Sequence, residues 1–499
     1  MNWLDRTIEW VSPARGLARA RARAATRLVR GYDGAKHGRQ TDGWWTQGTS
    51  ANAEIGPKLA ILRDRMRDLD RNNPLVRRAV AILAGNIVGT GILPTAQGRS
   101  ATRAMTAFAE WSPRACDVDG RCDDYGIQLL AVRTMIVSGE SLVRRLPRRP
   151  GEMAGAVPLQ LQVLEPDYFD MAKTEELSDG GRIIQGVEFD ARGRRVAYWL
   201  FDHHPGDAAV SLAKLSFISR RVPAEDIVHL YRVERPGQIH GVPWLAAVIT
   251  ETREIADYSE AEIVRKKIEA CVVGFVTSDE SGTGAALAPV KTDADGNQVE
   301  TFEPGLIQRL KPGEGIEFNN PAPSSGATDF LKMRHRMVAV GAGVTYEQLT
   351  ADLSGVNYSS YRAGHLDFRR EIETARWQIV IPILCETIWS WFVDAAWMAG
   401  AVPTDEIAAK WSPQRFESVE PQKDAEADLL EIRMGTKTWE QAVAERGYDP
   451  DEQLAAMAAW LKKLDDAGIV LDVDPRRQAR NGNPAAKAAG QQAEAQPAT

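Results

Sequence analysis

The sequence predicts an α+β protein of several domains, and three observations predict it. At 499 residues the chain is longer than one hydrophobic core normally supports. Stretches with apolar residues at helical spacing give way around 157–235 to stretches of strict apolar alternation. Two further long helical runs are separated by a Gly/Pro-punctuated β segment at 275–325.

The elements follow in order. Residues 1–50 carry a basic run (Arg15, Arg19, Arg21, Arg23, Arg27, Arg30) and then a Gly- and polar-rich stretch, and are expected to be poorly ordered. The run lacks the apolar centre of a secretory signal. Order is expected from Gly56-Pro57, with a helix through Leu59, Leu62, Met66 and Leu69. Pro74 opens a second helix to Val88, closed by Gly89-Thr90-Gly91. Residues 101–149 read as two helices around the loop 116–125. Leu159–Val163 alternates, Val187–Asp190 and Val196–Phe201 flank a hairpin turn at Ala191-Arg192-Gly193, and Ile227–Tyr231 is a short strand. Pro243 starts a long helix ending near Gly274, and 330–340 is helical. Residues 341–355 form a glycine-bearing loop. A second long helix spans Tyr361–Trp397, bent at Pro382. Its apolar part is broken by Pro382, Glu386 and Asp394, so a buried helix is expected rather than a membrane span. Residues 404–470 read as helical, and 475–499, rich in Ala, Gln, Pro and Gly, as a disordered tail.

Composition excludes several functions. The net charge of −7 does not suit a protein that grips nucleic acid statically by its phosphates. Four cysteines, Cys116, Cys122, Cys271 and Cys385, form no CxxC pair and lack histidines at zinc-ligand spacing, so a reduced intracellular chain is expected. A Cys116–Cys122 disulfide is the alternative that their proximity leaves open. Fourteen tryptophans point to large buried contacts, including contacts between subunits.

No enzyme signature stands out. Gly435-Thr436-Lys437-Thr438 fails the P-loop spacing, Gly89-Thr90-Gly91 lacks the third glycine of a dinucleotide loop, and no GxSxG or HExxH occurs. The acidic loop Asp117–Asp124 lacks the spacing and terminal Glu of an EF-hand and reads as an Asx-type turn. His203-His204, before Pro205-Gly206, reads as a surface turn. No catalytic residue, metal or cofactor is expected. The helix from Pro243 is more informative. Leu245, Val248, Ile249, Ala256, Ile263, Val264 and Ile268 give it an apolar side, while Glu251, Glu254 and Asp257 recur every three residues near one face. By itself that face is a solvated one, offset by Arg253, Arg265, Lys266 and Lys267.

Across about 57–460 the chain resembles the lambda family of bacteriophage portal proteins. The resemblance rests on Arg67–Pro74 with Gly85–Ile92; on Ser138-Gly139-Glu140; on Leu164-Glu165-Pro166-Asp167; on Gly237–Trp244; on Leu310–Glu314; and most specifically on Gly343–Ser354 running into Asn357–Arg362. Ala342 departs from the pattern, which has Leu before Gly-Val.

The resemblance implies a portal fold assembled as a ring: a wing, a two-helix stem, a β-containing clip and a helical crown. It divides the chain into a mobile basic arm (1–56), wing (57–241), first stem helix (242–274), clip (275–325), second stem helix (326–341), tunnel loop (342–358), bent wing helix (359–400), crown (401–472) and disordered tail (473–499). It implies a homo-oligomeric ring, a dodecamer in capsids, that passes double-stranded DNA during packaging and ejection. The ring would dock the terminase large subunit, then head-completion proteins, and contact major capsid and scaffold proteins. It would sit at one vertex of the virion after assembly in the bacterial cytoplasm, with no membrane partner. Thr345, Glu347, Gln348, Asp352, Ser354, Asn357 and Tyr358 would line the channel in the tunnel loop, bracketed by Gly341, Gly343 and Gly355 as hinges. Glu251, Glu254 and Asp257 would form an acidic stem face repelling phosphates. A gene transfer agent portal, and more remotely a nucleic-acid-processing enzyme, are the alternatives.

Overall fold

A short helix, α1 (Ala51–Ile55), opens the continuous fold, and α2 (Leu59–Asn72) buries Leu59, Met66, Leu69 and, unusually, Arg63 on one face. The computed structural model describes residues 48–499 except 114, 150, 153–156, 208–217, 271–273, 279–289, 293–297, 301–313, 319–325, 417–420, 447, 470 and 472–499; before 48 it describes 42, 43 and 46. The expected disordered tail, nearly all of the basic arm and much of the clip therefore lie outside the described residues. Residues 51 onward form one unit.

Capping sets the helix starts. The Asn73 side chain accepts from the amides of Leu75 (3.0 Å) and Val76 (3.3 Å), and Pro74 takes the first position of α3 (Pro74–Ile87), where no amide is needed. After β1 (Leu93–Ala96) and α4 (Ala101–Trp111), Asp117 accepts from the amides of Asp119, Arg121 and Cys122, an Asx-type turn as expected. Cys116 and Cys122 are free thiols, not a disulfide. Asp123 caps α5 (Asp124–Ser138) through the Gly126 amide at 2.7 Å.

Residues 140–147 correct the helical reading of 101–149. They form β2 (Glu140–Pro147), the central strand of an antiparallel sheet between β3 (Leu159–Leu164) and β9 (Ile227–Tyr231). The first four residues of β2 are all buried, so the strand shows no alternation there. A five-stranded antiparallel meander, β4 (Glu175–Glu176), β5 (Arg182–Ile184), β6 (Val187–Phe189), β7 (Arg195–Leu200) and β8 (Arg220–Pro223), carries the expected hairpin between β6 and β7.

Helix α6 (Ile249–Ala270), the expected first stem helix, begins later than Pro243, because the Trp244 amide donates to Ile136 O at 3.1 Å and a tighter turn covers Ala246–Val248. Strands β10 (Gly274–Ser278) and β13 (Glu314–Phe318) pair antiparallel, as do β11 (Val290–Thr292) and β12 (Gln298–Glu300). The chain returns through α7 (Ala327–Ala342), a short α8 (Tyr346–Thr350) and α9 (Tyr358–Ala375). Helix α9 runs through a π-helical stretch, Arg376–Cys385, into α10 (Glu386–Met398). Pro382 lies in that stretch; a residue without an amide hydrogen fits where the ordinary ladder is already widened. This helix is long and apolar enough to cross a membrane by composition, yet 61% of its most apolar stretch is buried in the fold.

That burial is aromatic. Trp111, Phe108, Trp389 and Phe392 interlock, with Phe108 and Phe392 edge-on at 5.2 Å, and Trp391 is buried beside them in sequence. Other tryptophans, such as Trp377, Trp397 and Trp460, stay about half exposed. The reading of 404–470 as wholly helical is corrected too: β14 (Ala409–Ser412) pairs antiparallel with β1, before α11 (Pro421–Met434), α12 (Trp439–Ala444) and α13 (Pro450–Asp466).

Candidate channel and stem surfaces

Helices α6 and α7, the two expected stem helices, meet through Arg334 and an aromatic pair. Arg334 on α7 reaches Glu251 and Glu254 on α6, both at 2.7 Å, and the rings of Tyr258 and Phe330 meet at 5.0 Å. Glu251, at 22% exposure, is folded into this contact. Glu254 is exposed, and Asp257 is exposed beside Arg253 at 3.1 Å, one turn away. The three acidic residues thus do different jobs: Glu251 and Glu254 join α6 to α7, and Asp257 stays in a surface pair.

Helix α7 also carries what sequence reading missed. Phe330, Met333, Met337 and Val340 recur at three- and four-residue spacing and are 41%, 52%, 59% and 78% exposed. Ile263 and Val264 on α6 are likewise exposed. The heptad-like spacing was visible in the sequence; that this face would stay so exposed among the described residues, although Phe330 meets Tyr258, was not.

Residues 342–358 are more ordered than a plain loop. Gly343, at φ +70°, ends α7, and Thr345 caps α8: its hydroxyl accepts from the Gln348 amide (3.2 Å) while its own amide donates to the Gln348 side chain (3.0 Å). Leu349 is buried, and Arg78 of α3 donates to Gln348 O at 3.2 Å. The expected three-glycine hinge is therefore corrected. Gly341 lies inside α7, where a Cβ would stand 2.4 Å from Val248, so helix packing demands it; Gly355 has no left-handed φ, and the second left-handed residue is Ala351 at +57°.

The predicted lining residues divide by task. Thr345 and Gln348 form the capping box, and Asn357 caps α9 through the Ser360 amide at 2.9 Å. Asp352 accepts from the Ser354 hydroxyl (2.6 Å), the Ser354 amide (3.0 Å) and the Tyr346 hydroxyl (3.1 Å), and these bonds hold its carboxyl below the usual aspartate range. Glu347 is half-buried. Tyr358 begins α9.

Around β2 lies a buried polar hub that sequence reading met only as Ser138-Gly139-Glu140. Glu140 is fully buried and accepts from Arg63, from His229 Nε2 (2.7 Å) and from the Gly241 amide (2.9 Å), with His240 Nδ1 at 3.0 Å. Burial pushes its carboxyl up, but His240, Arg63 and the hydrogen bond from His229 outweigh that and hold it well below the usual range. Burial pushes His229 down to about 4 despite Glu140. Gly139, at φ +89°, and Gly241 let two backbones touch: a Cβ on Gly241 would stand 2.1 Å from Gly139 O. The hub thus fastens the chain just before α6 to β2. Glu165, Asp167 and His204 form a second such cluster on the surface. In each cluster an arginine, Arg63 or Arg67, sits on a carboxylate that a metal would need.

Between α6 and α7, which Arg334 joins, the chain carries the strands β10 to β13. Residues 37–376 match phage portal protein, lambda family. The chain belongs to that family. It is a structural family, not an enzymatic one. Among relatives, a probable portal protein of Halomonas phage phiHAP-1 is 27% identical over 469 residues, covering 90% of this chain and 89% of its own. Portal protein B of Escherichia phage lambda is 21% identical, covering 87% and 90%. Among solved structures, a chain from the neck of a native gene transfer agent particle, computed with C12 symmetry, is 16% identical with TM-score 0.43, covering 76% of this chain and 92% of that one.

Proposed function

We propose that the chain is one subunit of a portal ring through which double-stranded DNA enters and leaves a capsid. The observation that carries this reading is the exposed apolar stripe on α7, Phe330, Met333, Met337 and Val340. Four large apolar residues in line on one helix cost solvation unless another copy covers them, and a heterologous contact of this kind forms a ring where its rotation closes. The ring is taken as a dodecamer, assembled in the host cytoplasm and placed at one virion vertex among capsid and scaffold proteins. The segment 275–325 would dock the terminase large subunit and later head-completion proteins.

DNA carries about one negative charge per 1.7 Å of axis, so a lining rich in cations would hold it fast. In this reading residues 345–358 form the narrowest part of the channel, with Glu347 and Asp352 keeping phosphates at a distance, and Asp257 extends that field along the stem. No bond is made or broken; the task is to centre the duplex without adhesion. The test is the double variant Met333→Glu/Met337→Glu, followed by analytical ultracentrifugation. Dispersal of the ring to smaller species is expected, because each subunit places two anions at the contact. An unchanged ring would remove the stripe from the interface.

A further inference from the structure

Helices α11, α12 and α13 have almost no core of their own. Among the described residues of 421–469, Ala442 alone is buried. Helix α13 is 17 residues long, and every one of its residues whose exposure is described is exposed or half-buried. Helices in proteins take most of their stability from packing an apolar face rather than from propensity. What ties these helices down is polar. Asp428 of α11 takes Lys437 (3.0 Å), Arg446 (2.8 Å) and Arg415 (3.7 Å), and Thr95 of β1 donates to Asp449 at 2.6 Å. These bonds leave the large apolar side chains uncovered.

Two unlike apolar stripes result. On α13, Leu454, Met457, Leu461 and Leu464 alternate at spacings of three and four, with Trp460 beside them. Leu454 is 56% exposed, and Met457 and Trp460 are exposed as well. On α11, Ala427, Leu430 and Met434 keep the same spacing, and Met434 is 70% exposed. The α13 stripe is broad and built of large side chains; the α11 stripe is narrower and opens on an alanine. Two different faces on one chain fit a head-to-tail contact, in which each copy offers one face and receives the other. Residues 474–499, which follow, contain no Leu, Ile, Val, Met, Phe, Trp or Tyr with which to fill either stripe. Charge agrees with the pairing. Lys462 follows Leu461 and Glu431 follows Leu430, and both are exposed and in no ion pair among the described residues.

We propose that α13 of one copy packs its stripe on the α11 stripe of the next copy, so that these helices gain their apolar cover on assembly. The inference rests on the ring reading and adds to it a second contact, remote in sequence from the α7 stripe.

The experiment uses two full-length chains with different tags, Met434→Cys in one and Met457→Cys in the other, co-expressed and treated with a short bismaleimide. A covalent dimer carrying both tags is expected, above the level given when only one of the two chains carries its new cysteine. Hydrogen exchange supplies a second readout. The α13 amides should exchange about tenfold or more slowly in wild-type rings than in Leu430→Glu/Met434→Glu, whose changed residues are exposed and lie on another helix. Equal α13 exchange in the two proteins, or rings that give no dimer with both tags, overturns the contact. Analytical ultracentrifugation of the same samples separates the two failures. Rings without the crosslink overturn this contact alone, whereas a monomer removes the ring reading and this contact with it.

Discussion

The hub at Glu140 and the carboxylates of α6 and of the segment 345–358 use the same chemical group in opposite ways. Glu140 is fully buried and satisfied by Arg63, His229 and a backbone amide, so it holds two backbone segments in register. Asp257 is exposed and pairs with Arg253 one turn away, and Asp352 is partly exposed and accepts from Ser354 and Tyr346. A carboxylate in this fold is structural where its partners come from distant elements, as at Glu140, and stays at the solvent where they are local, as at Asp257. Glu251 and Glu254, joined to α7 by Arg334, lie between these extremes.

The comparison can be broken most severely at Glu140. Replacing it with Ala leaves Arg63 and two histidines buried without their anion, and should cost about 3–5 kcal/mol, read as a lowered thermal midpoint at matched protein concentration. A loss under 1 kcal/mol would move the hub into the weak class.

Protonation sharpens the same point. His229 is depressed from 6.5 to about 4 in the fold, so its contribution is full above pH 6.5 and is lost as pH falls toward 4. Asp124, buried and raised from 3.8 to about 7, runs the other way: its contribution is full below 3.8 and is lost as pH rises through about 7. His229→Gln should flatten the acid-side loss and Asp124→Asn the opposite one, in unfolding followed from pH 4 to 8. Parallel curves for wild type and His229→Gln would contradict the first assignment.

Smaller effects are expected outward. Arg334→Gln should cost about 1 kcal/mol by leaving Glu251 half-buried against α7, and Thr345→Ala about 1 kcal/mol through loss of the capping box, both measured by chemical denaturation. Glu347→Lys/Asp352→Lys should change stability by no more than about 0.5 kcal/mol. Packaging should nevertheless fall sharply, because every subunit would bring two cations to the phosphates. Full-length packaging and normal titres in that variant would remove the electrostatic role.

Sequence reading found the helices whose apolar face and cap are both local, as at Asn73-Pro74 and Leu59–Leu69. It missed β2 because a central strand buried on both faces has no period, and β14 because its partner β1 lies some three hundred positions earlier in the chain. It placed a glycine hinge where Gly341 is demanded by the packing of α7 on Val248, a contact between distant residues. The acidic repeat at Glu251, Glu254 and Asp257 was legible, but the arginine that divides it sits beyond the whole clip segment. The stripe at Phe330, Met333, Met337 and Val340 follows a readable spacing, yet only the folded chain exposes it.

The central claim, that the exposed α7 stripe closes subunits into a ring around DNA, is tested most directly by electron microscopy of the purified full-length protein. The account predicts closed rings with a central opening wide enough for duplex DNA. A monomer at micromolar concentration across low and high salt would contradict it.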